Sequence, residues 1–149
     1  MAKIDDSRVY ISTTYEFSVH FYDLDPVGVM WHGHYVKYME DARMYLLDQV
    51  GYNYDKHIES GYVWPVAKMN LKYKRPLKMG QKVLIVTDLI EYDNCLRINY
   101  KMLDKETGEL LTTAQTTQLP VDVKTKRPSF STPEVFVKLV KEYLATHKN

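Results

Sequence analysis

The stretch Asp23-Leu24-Asp25-Pro26-Val27-Gly28-Val29-Met30-Trp31-His32-Gly33-His34 lies between an alternating segment and a strongly patterned helix. It combines two carboxylates, a Pro-x-Gly turn and two histidines directly before that helix. A helix start presents unpaired backbone N–H groups and the positive end of the helix dipole, so it stabilises negative charge. A carboxylate beside such donors can attack or deprotonate while the donors stabilise an oxyanion. This stretch is therefore the candidate active site, with chemistry suited to acyl transfer.

The segments on either side predict a strand and a long helix. Residues 9–22 alternate in polarity, which is typical of a strand whose inner face carries Tyr15, Phe17, Val19 and Phe21. Residues 34–50 carry apolar side chains at steps of three and four, which indicates a buried helix ended by Gly51. The spacing also predicts ion pairs on its polar edge, Lys37 with Asp41 and Glu40 with Arg43.

The remainder of the chain predicts an antiparallel sheet and a second helix. Residues 52–61 form a connecting loop with room for a helical turn, and strands follow at 62–74, 82–92, 95–103 and 109–121. The last helix opens at residues 131–134, with a hydroxyl cap, Pro133 in its first position and Glu134 in its first turn. This order indicates an α+β domain in which a sheet covers a central helix. A dimer would cover the sheet edge and helix flank left exposed.

Composition places the chain among ordinary globular proteins. Its 149 residues fit a single domain spanning 1–149, and 45% of them are hydrophobic. The formal net charge of +1 gives no indication of the strongly positive surface typical of nucleic-acid-binding proteins. One cysteine, Cys95, allows no intrachain disulfide. Because the sequence contains neither a signal-peptide pattern nor an apolar run long enough for a bilayer, we expect a cytoplasmic protein without a membrane span.

The pattern Asp23-x-Asp25-Pro26-x-Gly28-x-x-Trp31, followed by His34-Tyr35-x-x-Tyr38-x-Glu40-x-Ala42-Arg43, resembles the hotdog-fold acyl-CoA thioesterases of the 4-hydroxybenzoyl-CoA thioesterase type. Weaker similarity continues through Arg75-Pro76-Leu77…Gly80 and Val121-Asp122-x-Lys124-Thr125-x-Arg127-Pro128. The resemblance extends from about Tyr15 to Pro133 and so covers nearly the whole chain.

This resemblance implies a fold, a reaction and a set of site residues. The fold is a hotdog, a five-stranded antiparallel sheet wrapped around a long central helix, with a C-terminal helix. The reaction is hydrolysis of an acyl-CoA thioester to a carboxylate and CoA, without a cofactor, because CoA is part of the substrate. Asp25 is the implied catalytic carboxylate, and the backbone N–H of His32 polarises the thioester carbonyl. Two residues after His32, where the family usually has Asn, this chain has His34.

The resemblance also implies a homodimer or homotetramer with active sites at subunit interfaces. The candidate substrate-binding residues surround the helix start: Gly28, Trp31, His34, Tyr35 and Tyr38. Basic side chains in two later segments are candidates for binding CoA phosphates through charge-assisted hydrogen bonds: Lys74, Arg75, Lys126 and Arg127.

Several alternatives remain open from the residues. Asp25 is also a normal turn former, and Asp23 either orients the loop or lies in solvent. Related thioesterases place the carboxylate inside the helix about nine residues after a His-Gly-Gly turn, a spacing that Asp41 meets, with Glu40 beside it. The alternative interpretation of Asp41 and Glu40 is that they are ordinary charged residues on the helix surface. The i,i+2 spacing of His32 and His34 does not favour a metal site, and no third ligand is evident nearby.

Other functions use the same scaffold. An acyl-carrier-protein thioesterase would share the core and take a protein-borne pantetheine. A hydratase of this fold would need a paired Asp and His. A non-catalytic subunit that binds acyl-CoA would not need Asp25, and its presence in the motif favours an enzyme.

Overall fold

A computed structural model describes residues 8–147 of the chain. In chain order its elements are β1 (Ile11–Ser18), a 3₁₀ helix (Phe21–Asp23), α1 (His34–Gln49), α2 (Tyr54–Ser60), β2 (Tyr62–Val63), β3 (Val66–Tyr73), β4 (Lys82–Glu91), β5 (Leu96–Asp104), β6 (Leu110–Gln118), β7 (Val121–Asp122) and α3 (Glu134–Thr146). The predicted domain also includes residues 1–7 and 148–149, which lie outside the described residues.

Five of the strands form one antiparallel sheet in the order β1-β4-β5-β6-β3, and β2 pairs separately with β7. Helix α1 packs against β1 and β4. Its inner face is a stripe at helical spacing that is almost fully buried: Tyr35, Met39, Ala42 and Leu46. The α+β architecture with a central helix on a five-stranded antiparallel sheet is therefore confirmed.

The first predicted strand is too long. It ends at Ser18, and the chain turns into the 3₁₀ helix instead of continuing to residue 22. Local hydrogen bonds compete with the strand, because His20 N–H donates to Asp23 Oδ2 and Asp23 N–H donates to the His20 carbonyl, both at 2.9 Å. As a consequence Phe21, predicted to face inward, is 79% exposed.

Helix α1 ends as predicted, since Gly51 adopts φ +88° directly after it. The predicted ion pairs on its polar edge are wrong: among residues 8–147 neither Lys37 with Asp41 nor Glu40 with Arg43 forms a salt bridge. Arg43 Nη1 instead donates to the Tyr100 hydroxyl at 3.3 Å. The following segment is more ordered than a loop, because it contains α2, capped by the Asn53 side chain accepting from Lys56 N–H.

Two predicted strands are each divided by proline. The predicted strand 62–74 breaks at Trp64-Pro65 into β2 and β3, and 109–121 divides before Pro120 into β6 and β7. Proline lacks the N–H that would continue the ladder. By contrast, β4 and β5 lie within one residue of their predicted bounds.

The start of α3 differs from the prediction. Pro133 is the N-cap residue itself and no side chain caps the helix, so the predicted hydroxyl cap is wrong. The Thr132 hydroxyl is buried, and no hydrogen-bond partner within residues 8–147 reaches it. Because Pro133 occupies the boundary position, the hydroxyl side chain stands one residue too early to reach the first free N–H groups. Glu134 lies in the first turn as predicted.

Strand β3 forms one edge of the sheet. It pairs with β6 on one side, and no other strand within residues 8–147 pairs with its second side. All its residues except Leu71 are exposed. Exposed apolar side chains along it include Val66, Met69 and Tyr73. An unpaired edge of this length is a template for pairing with another chain.

Candidate active site

The loop before α1 closes on itself through backbone hydrogen bonds. Asp25 N–H donates to the Val29 carbonyl at 2.9 Å, and Gly28 N–H donates to the Asp25 carbonyl at 3.0 Å. Gly28 has φ +93°, a backbone conformation that favours glycine. The backbone geometry of the turn therefore accounts for a glycine at this position. The loop is attached to the residues before β4, because Met30 N–H donates to the Leu77 carbonyl at 2.8 Å.

Asp25 fills the centre of this turn. Its Oδ1 accepts from the N–H groups of Val27 at 2.9 Å, Gly28 at 3.1 Å and Val29 at 3.4 Å. No donor from residues 8–147 reaches its second oxygen, Oδ2, and the side chain is half-buried. One carboxylate oxygen therefore holds the turn, while the other accepts no hydrogen bond from these residues. The turn interpretation and the catalytic one are compatible in this geometry.

Asp23 joins the loop to α1. It is only 3% exposed, so the solvent alternative is wrong and the orienting role is supported. Its Oδ2 accepts from the Tyr38 hydroxyl at 2.6 Å, and its backbone carbonyl accepts from Trp31 N–H at 2.9 Å. Tyr38 also stacks on Phe17, with ring centroids 3.8 Å apart. Burial, followed by the hydrogen bond to the Asp23 carboxylate, raises the pKa of Tyr38 far above its ordinary value.

The helix start contributes a free donor. No group within residues 8–147 accepts a hydrogen bond from His32 N–H, whereas the His32 carbonyl accepts from the Tyr73 hydroxyl at 3.1 Å. Gly33 is the N-cap residue, and a Cβ there would lie 2.3 Å from the Trp31 ring. A side chain at this position would therefore displace the indole ring, which covers this turn.

The predicted substrate-binding residues fall into two groups. Trp31 is 45% exposed, and its ring lies 5.3 Å from that of the half-buried His34. Tyr35 is 2% exposed, packs edge-on against Tyr73, and has a pKa raised by burial. The hydroxyl of Tyr38 is used by Asp23. Trp31 and His34 are thus accessible, whereas Tyr35 and Tyr38 serve the protein's own packing.

The other candidate carboxylate, Glu40, lies on a different flank of α1. It lines an open cavity of about 670 Å³ between α1, α2 and β2. Other residues in the lining are Arg43, Met44, Tyr62 and Trp64. Neither Asp25 nor Asp41 lines this cavity. Because each helical residue turns the chain by about 100°, Glu40 and Tyr38 point about 200° apart. The Asp23–Tyr38 contact and the cavity therefore lie on opposite flanks of α1.

The candidate CoA-phosphate residues form two separate pairs. Lys74 and Arg75 follow β3, and both of their N–H groups donate to the Leu111 carbonyl near the start of β6. Arg75 also pairs with Glu109 at 3.2 Å. Lys126 and Arg127 lie in an exposed turn beyond the other end of β6. The seven residue steps from Leu111 to the end of β6 span about 24 Å and separate the two pairs. A single chain therefore does not bring the four basic residues into one phosphate site.

Two further properties bear on the predictions. Residues 8–147 contain no group of three or more His, Cys, Asp or Glu side chains arranged to hold a metal ion. Within the same residues, no helix has the length and apolar character needed to cross a bilayer.

Two side chains in this region were not predicted to act there. Tyr73 fixes the His32 peptide from a strand 41 residues away, and the sequence offers no signal for this contact beyond a tyrosine in a predicted strand. Gln118 lines the cavity from the end of β6, and it too carries no local motif. The Asp-x-Asp motif drew attention to Asp23, but nothing in the sequence indicated that Tyr38 would be its hydrogen-bond partner.

Comparison with known proteins gives the class of protein that this fold and loop define. The chain matches the Thioesterase-like superfamily over residues 19–140, a range that contains the loop, α1 and four strands of the main sheet. The chain therefore belongs to the Thioesterase-like superfamily. This confirms the resemblance found in the sequence and, with it, the predicted class of enzyme, a thioester hydrolase.

Individual relatives agree with this assignment. The Bacillus subtilis (strain 168) protein named "Putative acyl-CoA thioesterase YneP" is 26% identical over 113 residues, which cover 76% of this chain and 82% of that one. The structure of DHNA-CoA thioesterase from Staphylococcus aureus has a TM-score of 0.78 at 24% identity, covering 91% of this chain and 89% of that one. A 4-hydroxybenzoyl CoA thioesterase mutant complexed with 4-hydroxybenzoyl CoA has a TM-score of 0.77 at 18% identity, with 87% and 98% covered. The predicted hotdog fold is thereby confirmed.

Proposed function

We propose that this chain hydrolyses an acyl-CoA thioester to a carboxylate and free CoA, with Asp25 as the catalytic carboxylate. The observation that carries the proposal is the geometry of the loop. Asp25 has one oxygen bound in the turn and the other without a donor from residues 8–147, and the unused His32 N–H lies at the start of α1. Membership of the Thioesterase-like superfamily supports the same reaction.

In the proposed reaction the thioester carbonyl oxygen accepts a hydrogen bond from His32 N–H. The positive end of the α1 dipole stabilises the oxyanion as it develops. Asp25 Oδ2 either attacks the carbonyl carbon or removes a proton from a water molecule that attacks it. The first route breaks the C–S bond, releases CoA thiolate and leaves a mixed anhydride that water hydrolyses. The second gives the carboxylate directly, and the proton passes to the leaving thiolate.

Substrate contacts are assigned to the accessible aromatic side chains at the helix start. In this proposal Trp31 and His34 border the thioester, supported by the exposure of Trp31 and by the 5.3 Å between the two rings. Tyr35 and Tyr38 shape the floor of the site rather than bind through their hydroxyls, because one is buried and the other is bonded to Asp23. The proposed reaction uses no cofactor, because CoA is part of the substrate, and a cytoplasmic location stays a prediction.

We further propose that the active form is a homodimer or homotetramer. Its support is the long unpaired edge of β3, which exposes Val66, Met69 and Tyr73. Tyr73 lies on this edge and also holds the His32 peptide, so pairing there would bring a second copy close to the helix start. Such an assembly would also allow the two basic pairs, separated within one chain, to come from different subunits.

A second candidate mechanism has its own observation. Glu40 lines the cavity between α1 and α2, as a helix-based carboxylate would if the acyl group entered there. The Asp25 proposal is preferred because Asp25 and the free N–H of His32 belong to the same loop, seven positions apart at the start of α1.

The test is release of free thiol from a panel of short, long and aromatic acyl-CoAs, by the wild type and by Asp25→Asn. Asparagine keeps an oxygen for the three turn N–H groups, so the variant removes the charge with little change to the loop. We expect turnover to fall by about 10²–10⁴-fold. Unchanged turnover in Asp25→Asn would remove this carboxylate from the mechanism.

Absence of thiol release from every acyl-CoA would contradict the proposed substrate. The same assay with acyl groups on acyl carrier protein then separates the two remaining alternatives. Hydrolysis there would identify a carrier-protein thioesterase, and none would indicate a non-catalytic subunit.

A further inference from the structure

Tyr73, the last residue of the edge strand β3, reaches the start of α1 with its side chain. Its hydroxyl donates to the His32 carbonyl at 3.1 Å, and its ring packs edge-on against the Tyr35 ring, with centroids 4.7 Å apart. Tyr35 is only 2% exposed, so this contact joins Tyr73 to the core. The core therefore holds the Tyr73 ring, and the Tyr73 hydroxyl holds the backbone of His32.

The two peptide groups that meet at His32 are held by different partners. In the first, the Trp31 carbonyl accepts from His34 N–H at 3.0 Å. Because a peptide is planar and trans, fixing this carbonyl directs the free His32 N–H to the opposite side. In the second, the carbonyl of His32 itself accepts from Tyr73. The orientation of the free N–H therefore depends on one contact within the turn and on one contact from β3.

No backbone hydrogen bond substitutes for the one from Tyr73. Among residues 8–147 no backbone N–H donates to the His32 carbonyl, and His32 is exposed. The next residue is Gly33, and glycine loses more conformational freedom on ordering than any other residue. An exposed peptide beside a glycine needs a partner from another element to keep a fixed orientation. Within these residues, Tyr73 is that partner.

We infer that Tyr73 is a positioning residue for the proposed hydrolysis. Its hydroxyl holds the peptide after His32, so that the adjacent His32 N–H stays directed at the thioester carbonyl oxygen. The inference rests on the proposed function, because that function makes His32 N–H the oxyanion donor. A donor that is already oriented needs no reorganisation when negative charge develops on the oxygen. Loss of the Tyr73 hydroxyl therefore lowers the rate of the chemical step and leaves substrate binding unchanged.

The first test measures the orientation of the donor in the protein without substrate. The chain contains five histidines, so isotope labelling of histidine alone gives a simple amide NMR spectrum, in which loss of one signal in His32→Gln identifies His32. We expect an order parameter of about 0.85 for this amide in the wild type, the value of rigid backbone. Tyr73→Phe should lower it to about 0.6 or less. The amide of His34, bonded to the Trp31 carbonyl, should stay rigid in the same spectrum.

The second test measures thiol release by Tyr73→Phe, which keeps the ring against Tyr35 and removes the hydroxyl. We expect kcat to fall by about 10-fold, less than the loss of about 10²–10³-fold on deleting an oxyanion donor, because the N–H is still present. KM should stay within about twofold, since the lost interaction acts in the transition state.

The matched control is Tyr45→Phe on α1. The Tyr45 side chain is 40% exposed, and its hydroxyl has no hydrogen bond within residues 8–147. This variant should leave kcat, KM and the order parameter of the His32 amide unchanged. A general effect of losing a tyrosine hydroxyl would lower kcat in both variants and would overturn the inference.

The two readouts decide together. A more mobile His32 amide with a lower kcat and a constant KM supports the inference. An unchanged order parameter in Tyr73→Phe, or a mobile amide with unchanged kcat, overturns it. Failure of the proposed function is seen separately. Unchanged turnover in Asp25→Asn beside a loss in Tyr73→Phe would reject Asp25 and keep the role of Tyr73, whereas absence of thiol release by the wild type would overturn both.

Discussion

The Tyr38 hydroxyl donates a 2.6 Å hydrogen bond to Oδ2 of Asp23, and this contact connects the candidate active-site loop to α1. The same aspartate accepts from His20 N–H through its side chain and from Trp31 N–H through its carbonyl. It therefore holds both ends of the loop that carries Asp25. A single buried carboxylate positions the segment in which the reaction is proposed to occur.

Replacing Tyr38 by phenylalanine should destabilise the protein by about 1.5–3 kcal/mol, because the buried Asp23 carboxylate loses a charge-assisted hydrogen bond. Urea unfolding measures this free energy. Tyr45→Phe, on the same helix, is the matched control: Tyr45 is 40% exposed and its hydroxyl has no hydrogen bond within residues 8–147, so we expect a change below about 0.5 kcal/mol. Equal effects of the two variants would contradict the role assigned to the Asp23 contact.

The turn role and the catalytic role of Asp25 should separate in two variants. Asp25→Ala removes the acceptor of three N–H groups and should cost about 1–2 kcal/mol of unfolding free energy. Asp25→Asn keeps an acceptor and should remain within about 0.5 kcal/mol of the wild type. Thermal and chemical unfolding of both variants provide the measurement. A strongly destabilised Asp25→Asn would mean that the negative charge itself maintains the turn.

The neighbouring acids of α1 provide a test of the helix-based mechanism. Glu40 lines the cavity and Asp41 does not, although both are exposed. If Asp25 is the catalytic carboxylate, Glu40→Gln and Asp41→Asn should each lower turnover by less than about 10-fold. Thiol release by the folded variants decides the matter. A loss of about 10²-fold or more confined to Glu40→Gln would transfer the catalytic assignment to α1.

Cys95 should make stability depend on pH in the alkaline range. It is 5% exposed, and burial raises the pKa of its thiol from 9.0 to about 11. Below pH 9 both the folded and the unfolded chain hold this proton, so the thiol adds no pH dependence. Between about pH 9 and 11 the unfolded chain loses it first, and the free energy of unfolding falls as the pH rises.

The measurement is urea unfolding of wild type and Cys95→Ala at several pH values across that window. We expect the variant to lose less stability on going from pH 9 to pH 11, since it has no thiol to ionise. Parallel pH profiles would show that the buried thiol does not contribute. In the folded wild type, the raised pKa should also slow alkylation of Cys95 relative to the urea-unfolded chain.

Local pattern was sufficient where one periodicity extended over a whole element. Helix α1 and strands β4 and β5 lie within one residue of their predicted bounds, because their buried faces repeat at the spacing of a helix or a strand. Prediction failed where a local group interrupts that pattern. Pro65 ends β2 by lacking an N–H, and Asp23 ends the extension of β1 by offering the backbone a different partner.

The superfamily, the central helix and the turn around Asp25 are predictable from local patterns, since all of these depend on residues close together in the chain. The distant groups that contact these segments become visible only in the folded chain. Tyr38 reaches Asp23 across 15 positions, Tyr73 reaches the His32 carbonyl across 41, and Gln118 reaches the Trp64 carbonyl across 54. These partners are selected by packing of the sheet against α1 and α2, and no spacing along the chain encodes a contact between separate elements.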